Sequence, residues 1–488
     1  MHATSLPSPV PPFPPASALP AHSPGPHRAP DVIVAGAGIA GLCAADALAR
    51  AGARVRVFEA AGDVGGRMRS ETLGPHGIEC GAQFLSSGYT VLPALARRLG
   101  LDGGPDGCLL AASDLNAVVR QGRPRRMRAQ SLLDPLRSGL LGLPAWLGLG
   151  LALGREGRAL RTLPLDDLGQ WARYDTGSAS EWLGQRGCRE ALAYVTEPLL
   201  QGFYFLTPES SSAALMLMAS GFGWRRCANT SLAGGMQSLP RALARTLQVE
   251  TGRRVASIRQ QDTGVVVSGA GFEATADYVV CALPAPYARQ AWTGGDALER
   301  RLLATPYSRT INLSLLTRPG FHVPAALAGV YGVLVPRAER RYVAALALDA
   351  GKRPLALDAG KRPLARAAGG PGQVIQVMLE DRAAADRLGA SDAQILADVL
   401  PEVEHYLPGI SRQLQDCLVT RWAQAMPTVP VGRAADVLAY RSRAPASRQR
   451  VFLAGDYVNA PFTDAAAATG LWAAQAIMRA VSSTARAG

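Results

Sequence analysis

Residues 31–41 read DVIVAGAGIAG, and Glu59 follows at the end of the apolar run VRVFE. The apolar start predicts a strand, and Gly36 allows a tight bend after it that a side chain would obstruct. Gly38 lets the backbone approach a pyrophosphate, and Gly41 lets the next helix pack closely on the sheet. That helix presents free amides to the phosphates, while Glu59 can accept a hydrogen bond from a ribose 2′-hydroxyl. The stretch therefore predicts a dinucleotide site in an α/β fold of the Rossmann type.

The helix after this turn is predicted to run from Ile39 to Ala51, where Gly52 stops it. Its first turn, with Ile39 and Ala40, faces the phosphates in this interpretation. A lone glycine fingerprint is weak evidence. Here the strand, the helix, the second strand and the acid follow in the right order, which favours a dinucleotide site over coincidence.

A second glycine loop follows the acid directly, since residues 60–70 read AAGDVGGRMRS. Gly65 and Gly66 can bring further backbone amides to the pyrophosphate, and Arg67 can add charge-assisted hydrogen bonds. Taken alone, the loop is more typical of a surface turn with a solvated arginine. In this place it resembles the FAD-binding signature of the flavin amine oxidase superfamily, which includes monoamine oxidases, protoporphyrinogen oxidases and carotenoid desaturases. The resemblance implies an FAD cofactor and places Ala60 in its site.

The far end of the chain resembles the same superfamily's closing motif. Residues 451–475 read VFLAGDYVNAPFTDAAAATGLWAAQ, which predicts a strand, a Gly455-Asp456 turn and a helix of small residues. The resemblance implies that Asp456 binds the ribityl chain or pyrophosphate of FAD. It also implies that the helix start, with Asp464, Ala465 and Ala466, lies against the flavin. Relatives usually have glycine where this chain has Ala465, so that backbone contact is a departure from the pattern.

A middle block completes the pattern. Residues 231–247 (SLAGGMQSLPRALARTL) and 253–284 predict a helix, a strand near the adenine, a hairpin and a buried strand. The resemblance makes Val255 the adenine neighbour. An ordinary α/β segment would fit this block equally well if it stood alone, but three blocks in the right order cover most of an FAD domain.

The predicted fold is a Rossmann-type FAD-binding domain built from three chain segments, with an interleaved α+β substrate domain. The predicted division is a proline-rich disordered tail (1–30), the first FAD-binding segment (31–100), a mostly helical substrate segment (101–230), the second FAD-binding segment (231–300), a substrate sheet (301–420) and the third FAD-binding segment (421–488).

The predicted pocket combines small residues beside the flavin with aromatic walls. Gly81 and Ala82 would run along the isoalloxazine, where small residues allow close approach. The pocket candidates are Gln83, Phe84, Phe203, Tyr204, Trp422, Met426 and Tyr457. In an arbitrary protein such residues are more often core than pocket, but their nearness to flavin-facing motifs makes the two interpretations about equal. No catalytic base and no metal site is assigned.

Two absences bear on the branch of the superfamily. Amine oxidases commonly place a lysine near the flavin, whereas the only lysines here, Lys352 and Lys361, lie in a tandem repeat of ALDAGKRPL at 347–364. Where the superfamily links FAD covalently, the resemblance places that link on a cysteine close to the closing motif. The last cysteine here, Cys417, lies well before Gly455, so FAD is expected to be noncovalent. Residues 197–216 resemble protoporphyrinogen oxidases, and residues 421–432 resemble the strand that faces the flavin in both oxidase branches. Residues 455–470 are closer to carotenoid and squalene desaturases.

The expected activity is dehydrogenation of a C–C or C–N bond in a mostly apolar substrate by hydride transfer to flavin N5. No second glycine fingerprint is present, so O2 or a quinone is the expected electron acceptor. A protoporphyrinogen oxidase-like or natural-product tailoring oxidase is favoured. The alternatives are a carotenoid or squalene-type desaturase, an amine oxidase without the usual lysine, a flavin-free escort protein and an NAD(P)H-dependent hydroxylase.

Composition limits the partners and the compartment. The net charge is +13, but the arginines that carry it are scattered without interleaved aromatic residues, which argues against a nucleic-acid site. Seven cysteines without a CxxC pair and a tail without a secretory pattern predict a cytoplasmic protein. Residues 139–154 (GLLGLPAWLGLGLALG) lack charge and are flanked by arginines, so either a buried helical pair or a peripheral membrane contact is expected there.

Overall fold

A computed structural model describes residues 29–101, 109–111, 113–128, 131–348, 372–443 and 449–487. Nearly all of the predicted disordered tail and most of the duplicated segment, with Lys352 and Lys361, lie outside the described residues. The strands on either side of that segment are as predicted. Val343–Leu348 pairs antiparallel with Val374–Leu379.

Five parallel strands form the sheet that the glycine fingerprint predicts. Their order across the sheet is Gln248–Glu250, Arg54–Phe58, Asp31–Ala35, Tyr278–Cys281 and Val451–Leu453. The central strands are apolar because helices cover both faces of such a sheet. The strands come from three distant regions of the chain, which confirms the predicted architecture.

Two helices meet where the first strand ends. The helix Ile39–Arg50 stops one residue before the predicted end, and the long helix Thr463–Ala487 packs across it. A Cβ at Gly470 would lie 2.0 Å from the carbonyl oxygen of Ala40. The contact therefore requires glycine, and it joins the end of the chain to its beginning.

The middle block also folds as predicted. Ser238–Ala244 is a helix, and an antiparallel sheet of three strands precedes the buried strand Tyr278–Cys281. Those three strands are Ser257–Gln260, Val265–Gly269 and Phe272–Ala276.

A second sheet has seven strands. Its order is Leu414–Pro427, Tyr307–Thr317, Val374–Leu379, Val343–Leu348, Gly332–Leu334, Leu115–Arg120 and Arg123–Arg128. One face is apolar and packs against the helix Asp392–Tyr406. The other face contacts the chain segment around Gln83 and Phe84, which lies between the two sheets.

The remaining elements are short. The other helices are Val91–Arg98, Asp134–Arg137, Leu143–Arg155, Gly157–Thr162, Ala179–Gly184, Arg189–Ala191, Glu197–Tyr204, Ala213–Trp224, Ala285–Ala291, Ala297–Leu303, Asp381–Ala385, Ile410–Gln413 and Arg433–Ser442. Shorter 3-10 or π turns occupy Leu168–Tyr174, Leu192–Thr196, Ala325–Leu327 and Asp456–Val458. The remaining strands are Ser70–Leu73, His76–Glu79, Leu85–Ser86, Leu109–Ala111 and Asn229–Leu232.

The segment 139–154 corrects one expectation. It forms a single helix, Leu143–Arg155, in which only Ala152 is fully buried, so the prediction of a buried helical pair is wrong. The physical reason is that the helix packs through one face only and leaves the other to solvent. None of the described helices has the length and apolarity needed to cross a membrane.

Candidate functional site

The glycine turn has the geometry that the fingerprint requires. Gly36 has φ +102°, and a Cβ there would lie 2.9 Å from the Ala282 carbonyl oxygen. A Cβ at Gly41 would lie 2.0 Å from the Gly36 carbonyl oxygen. At Gly38, by contrast, a Cβ would meet no described atom within 4 Å. Two glycines thus permit the turn, and the third opens a space beside it.

The second glycine loop closes onto the first. Gly65 forms an isolated β-bridge with Gly38, and its amide donates to the Ala37 carbonyl at 2.9 Å. Gly65 and Gly66 both have positive φ, at +116° and +57°. Within the described residues, no side chain caps the helix that begins at Ile39. The open space at Gly38 and the uncapped amides, including those of Ile39 and Ala40, fit the pyrophosphate of FAD.

The acid stands beside this cradle. The Glu59 carboxylate accepts from the Ala37 amide at 2.7 Å and from the Ala61 amide at 2.8 Å. The Arg253 amide donates to the Glu59 carbonyl at 2.7 Å, which brings the chain near Val255 to the same edge. Val255 is buried, and Ala60 is exposed next to the acid. The residues predicted for the adenosine end therefore lie together.

Arg67 and Asp456, predicted separately, are paired with each other. Arg67 Nη2 donates to Asp456 Oδ1 at 2.8 Å, and Arg67 Nη1 lies 2.7 Å from Asp456 Oδ2. Nη1 also donates to the Ala425 carbonyl, and the guanidinium lies over the Tyr307 ring. Burial opposes the charge on Arg67, but Asp456 outweighs it, and the pKa of the guanidinium is raised. The pair ties the second glycine loop to the closing turn.

Small residues continue along this edge. A Cβ at Gly81 would lie 2.0 Å from the Arg67 carbonyl, and the Ala82 amide donates to that same carbonyl at 2.9 Å. Gly455 has φ +137°, and its amide donates to Thr469 Oγ1 at 2.8 Å. The segment at Gly81 and Ala82 therefore contacts Arg67 through its backbone. Gly455 contacts the last helix in the same way.

The side chain of Asp464 has a structural partner. Its carboxylate accepts from the Thr90 amide at 2.8 Å, the Leu92 amide at 2.7 Å and the Val91 amide at 3.1 Å, and so caps the helix Val91–Arg98. Burial raises the pKa of the Asp464 carboxyl to about 7, against these hydrogen bonds. Ala465 and Ala466 are buried beside it in the last helix. Because its carboxylate is engaged by these three amides, Asp464 has only its backbone left to contact a cofactor.

An apolar cluster lies on the inner face of the seven-stranded sheet. The Phe84 ring packs edge-on against Phe203 at 5.8 Å and against Tyr331 at 6.4 Å between centroids. The sheet supplies the small side chains Ala345 and Ala347 opposite them. The other members are Val118, Met127, Leu140, Tyr194, Val195, Phe205, Leu334 and Met378. We call this set of packed side chains the aromatic pocket, because it includes the predicted pocket candidates Phe84 and Phe203.

An amide network joins the aromatic pocket to the cofactor edge. Gln83 Nε2 donates to Gln376 Oε1 at 2.7 Å, and Asn312 Nδ2 donates to the same oxygen at 2.9 Å. Gln83 and Asn312 also donate to the Glu79 carbonyl, at 3.1 and 3.2 Å. Asn312 and Gln376 are buried. Gln83 is thus held in one orientation at the junction of the two sheets.

The other pocket candidates separate into two groups. Ser308 Oγ lies 3.3 Å from the carbonyls of both Tyr204 and Met426, which brings these two residues together. Trp422 donates to the Cys80 carbonyl at 2.7 Å and so borders the segment before Gly81. Tyr457 is buried in the main core instead, apart from the aromatic pocket.

Several residues of this site escaped sequence reasoning. Tyr307, Tyr331 and Gln376 contact the predicted site residues Arg67, Phe84 and Gln83, and Asn312 donates to Gln376. One local signal existed for Asn312. Ser308, Thr310, Asn312 and Ser314 recur at every second position of the strand Tyr307–Thr317, and all four are buried. A buried polar face on a strand is unusual enough to indicate a site.

Comparison with known proteins agrees with this geometry. The family model described as flavin containing amine oxidoreductase matches residues 39–478. A Mycobacterium tuberculosis protein that carries the name of a flavin-containing monoamine oxidase, AofH, is 28% identical over 272 residues, which cover 52% of this chain and 57% of that protein. The chain thus spans little more than half the length of this curated relative.

Solved structures show the same fold. Cyclohexylamine oxidase from Brevibacterium oxydans IH-35A has a TM-score of 0.70 at 18% identity, and the match covers 93% of this chain and 100% of that one. A structure from Exiguobacterium sp. 255-15 that carries the name of a protoporphyrinogen oxidase has a TM-score of 0.70 at 18% identity, with coverage of 93% and 99%. At such identity the likeness establishes the fold.

Proposed function

The chain belongs to the flavin-containing amine oxidoreductase family, and on this premise we propose that it is an FAD-dependent oxidase that dehydrogenates a C–C or C–N bond of a mostly apolar substrate. Its membership makes it a flavin-dependent oxidoreductase. The substrate, the bond and the electron acceptor are what we propose beyond that. A cyclic compound, as in a protoporphyrinogen oxidase-like or tailoring enzyme, suits the pocket best.

The observation that carries this proposal is the composition of the aromatic pocket. Phe84, Phe203 and Tyr331 belong to one apolar cluster with the small residues Ala345 and Ala347, and we propose that a flat substrate binds against these side chains. The described members of the pocket are apolar or aromatic, and the carboxylate beside them is already paired, since Arg120 lies over the Tyr194 ring and forms an ion pair with Glu190. An ammonium ion would therefore lose its hydration without gaining a partner of opposite charge. The pocket favours a substrate that binds uncharged.

The chain's own residues divide the remaining work. When bound, FAD supplies a two-electron acceptor for a hydride, and the substrate proton leaves to solvent or to a polar group. The cradle around Gly38 and Gly66 would hold the pyrophosphate, and Glu59 the ribose. Gln83, fixed by Gln376 and Asn312, would orient the substrate beside the flavin edge.

The manner of cofactor binding and reoxidation follows from the same residues. Cys417, the last cysteine of the sequence, lies in the outer strand of the seven-stranded sheet, well before the closing Gly455-Asp456 turn. We therefore infer noncovalent FAD. With a single glycine fingerprint in the chain, O2 or a quinone is the inferred oxidant.

A second candidate is an amine oxidase that binds its amine uncharged. The names of the relatives favour it, and the amide network could accept a hydrogen bond from a neutral amine. A carotenoid or squalene-type desaturase would need a long apolar channel rather than the aromatic pocket, which makes it the least favoured of these functions.

Anaerobic bleaching of the flavin tests these alternatives. The purified yellow protein is mixed with a porphyrinogen, a cyclic amine, a linear diamine or a polyene, and the visible flavin absorbance is followed. The porphyrinogen or the cyclic amine is expected to bleach it, and the linear diamine is not. A colourless protein would overturn the proposal, as would bleaching by NADPH alone. Acid precipitation should release FAD into the supernatant, and colour in the pellet would contradict noncovalent binding.

A further inference from the structure

The exposed apolar side chains of the described chain are concentrated in one place. Seven large apolar residues are exposed among the described residues, and five of them belong to residues 132–151. These five are Leu132, Leu133, Leu143, Leu147 and Leu151, with exposed fractions of 42–60%. We call them the leucine ridge. The other two, Tyr287 and Val431, lie elsewhere in the chain.

The leucine ridge is continuous because of helical spacing. Leu143, Leu147 and Leu151 recur every fourth residue in the helix Leu143–Arg155, so they lie along one face over roughly 12 Å. Pro144, Gly150 and Gly154 are also exposed. The Trp146 indole donates to the Leu132 carbonyl at 2.7 Å, which fixes the preceding turn beside the helix.

Arginines flank the leucine ridge along the chain. Residues 120–162 contain nine arginines and two carboxylates, an excess of seven against +13 for the whole chain. Both carboxylates are engaged: Asp134 accepts from Ser131 and the Arg128 amide, and Glu156 from Tyr174. The exposed arginines are Arg123, Arg126, Arg128, Arg137, Arg155, Arg158 and Arg161.

We propose that the leucine ridge docks this protein on an anionic lipid surface. Exposed leucines fringed by arginines are what an interfacial helix presents to a bilayer, since the leucines enter the acyl boundary while the guanidinium groups meet lipid phosphates. A second copy of the chain is the other occupant that an apolar face suggests. It fits less well, because two such ridges would bring like charges together.

The leucine ridge also adjoins the aromatic pocket. Gly142, which begins its helix, donates to Glu190 Oε1 at 3.1 Å, and Leu140 is a member of the aromatic pocket with Phe84 and Phe203. Docking there would place the pocket near the bilayer. This last step rests on the proposed function, since it concerns how an apolar substrate would arrive.

Flotation with lipid vesicles tests the docking itself, without reference to activity. The flavin-loaded full chain is mixed with vesicles of phosphatidylcholine alone or with phosphatidylglycerol added. We expect flotation with the anionic vesicles only, and a loss of more than tenfold in L147E/L151E. The control V431E adds charge at an exposed apolar residue elsewhere and should float like the wild type. R155Q, R158Q and R161Q should each lower vesicle affinity about fivefold.

Flavin content and the unfolding midpoint establish that each variant is folded. The proposal fails if the wild type does not float with anionic vesicles, or if L147E/L151E and V431E float equally. It also fails if the wild type is a dimer that L147E/L151E converts to a monomer while neither floats, because the leucine ridge would then be a contact between copies. If the protein floats but none of the tested substrates bleaches its flavin, the docking proposal stands and only the proposed function fails.

Discussion

The cofactor side and the substrate side of this molecule are built by different means. Around Gly36, Gly38 and Gly41, the backbone itself makes the site, and side chains matter chiefly by their absence. On the inner face of the seven-stranded sheet, side chains such as Gln376 and Asn312 make the site, and the backbone only presents them. Substitutions should therefore act sterically on the cofactor side and through lost hydrogen bonds on the substrate side.

The largest effect is expected at Gly41. A methyl group in Gly41→Ala would lie 2.0 Å from the Gly36 carbonyl, so the strand-to-helix turn must open. We expect a loss of about 3 kcal/mol in the free energy of unfolding, with most of the bound flavin. Gly38→Ala is the matched control, because its methyl meets only open space. It should keep stability within about 1 kcal/mol while weakening flavin binding. Urea unfolding and flavin absorbance measure the two, and equal behaviour of the variants would break the distinction.

The next effect concerns the ion pair that joins two cofactor segments. Asp456→Asn leaves Arg67 with its buried charge uncompensated, and a loss of about 3 kcal/mol is expected. Arg67→Met combined with Asp456→Asn should cost less than the sum of the single changes, since neither charge is then stranded. A double-mutant cycle by urea unfolding checks the coupling. Additive losses would mean that the pair contributes nothing.

A pH dependence should mark the capped helix at the cofactor side. The Asp464 carboxyl has a pKa of about 7 in the folded protein, above its ordinary 3.8, so the folded state holds the proton more tightly. Its contribution to stability is complete below about pH 4 and is lost as pH rises to about 7, by roughly 1.4 kcal/mol per unit. Subtracting the profile of Asp464→Asn from that of the wild type isolates this slope. A difference that does not vary between about pH 4 and 7 would contradict it.

The smallest effect on stability is expected on the substrate side. Asn312→Ala removes two hydrogen bonds that hold Gln376 and the Glu79 carbonyl, at a cost of about 1 to 2 kcal/mol. It should also lower kcat/KM about tenfold while flavin content stays constant. Thr317→Val, at the end of the same strand, loses the hydrogen bonds between its hydroxyl and the Gln373 backbone, outside the network. It should lower stability but leave kcat/KM unchanged, and a parallel loss in both variants would argue for a merely structural role.

The same division explains what the sequence could foretell. Gly36, Gly41 and Glu59 act within a short stretch of chain, so their spacing predicted the turn and the neighbouring strands. Gln83 and Gln376 are 293 residues apart, and no local pattern records such a pairing. Asp464 caps a helix that lies 372 residues away, a role that its place in the closing motif does not indicate.

The leucine ridge shows another physical limit. Between residues 139 and 154 no charged residue breaks the apolar run, so periodicity cannot tell the exposed face of its helix from the buried one. The tertiary contacts decide it. Tyr457 illustrates another limit of the sequence. It stands next to a cofactor motif along the chain, but its side chain is buried in the main core.

The contact between Ala40 and Gly470 has a consequence for biosynthesis. At roughly 5–20 residues per second, the ribosome makes these two residues about 20 to 90 s apart. In the first part of that interval the strand Asp31–Ala35 lacks its neighbour Tyr278–Cys281. In the later part the sheet still lacks its edge strand Val451–Leu453. We therefore expect the cofactor to be acquired after synthesis, so that the flavin supply and chaperone protection of the growing chain set the yield of active protein.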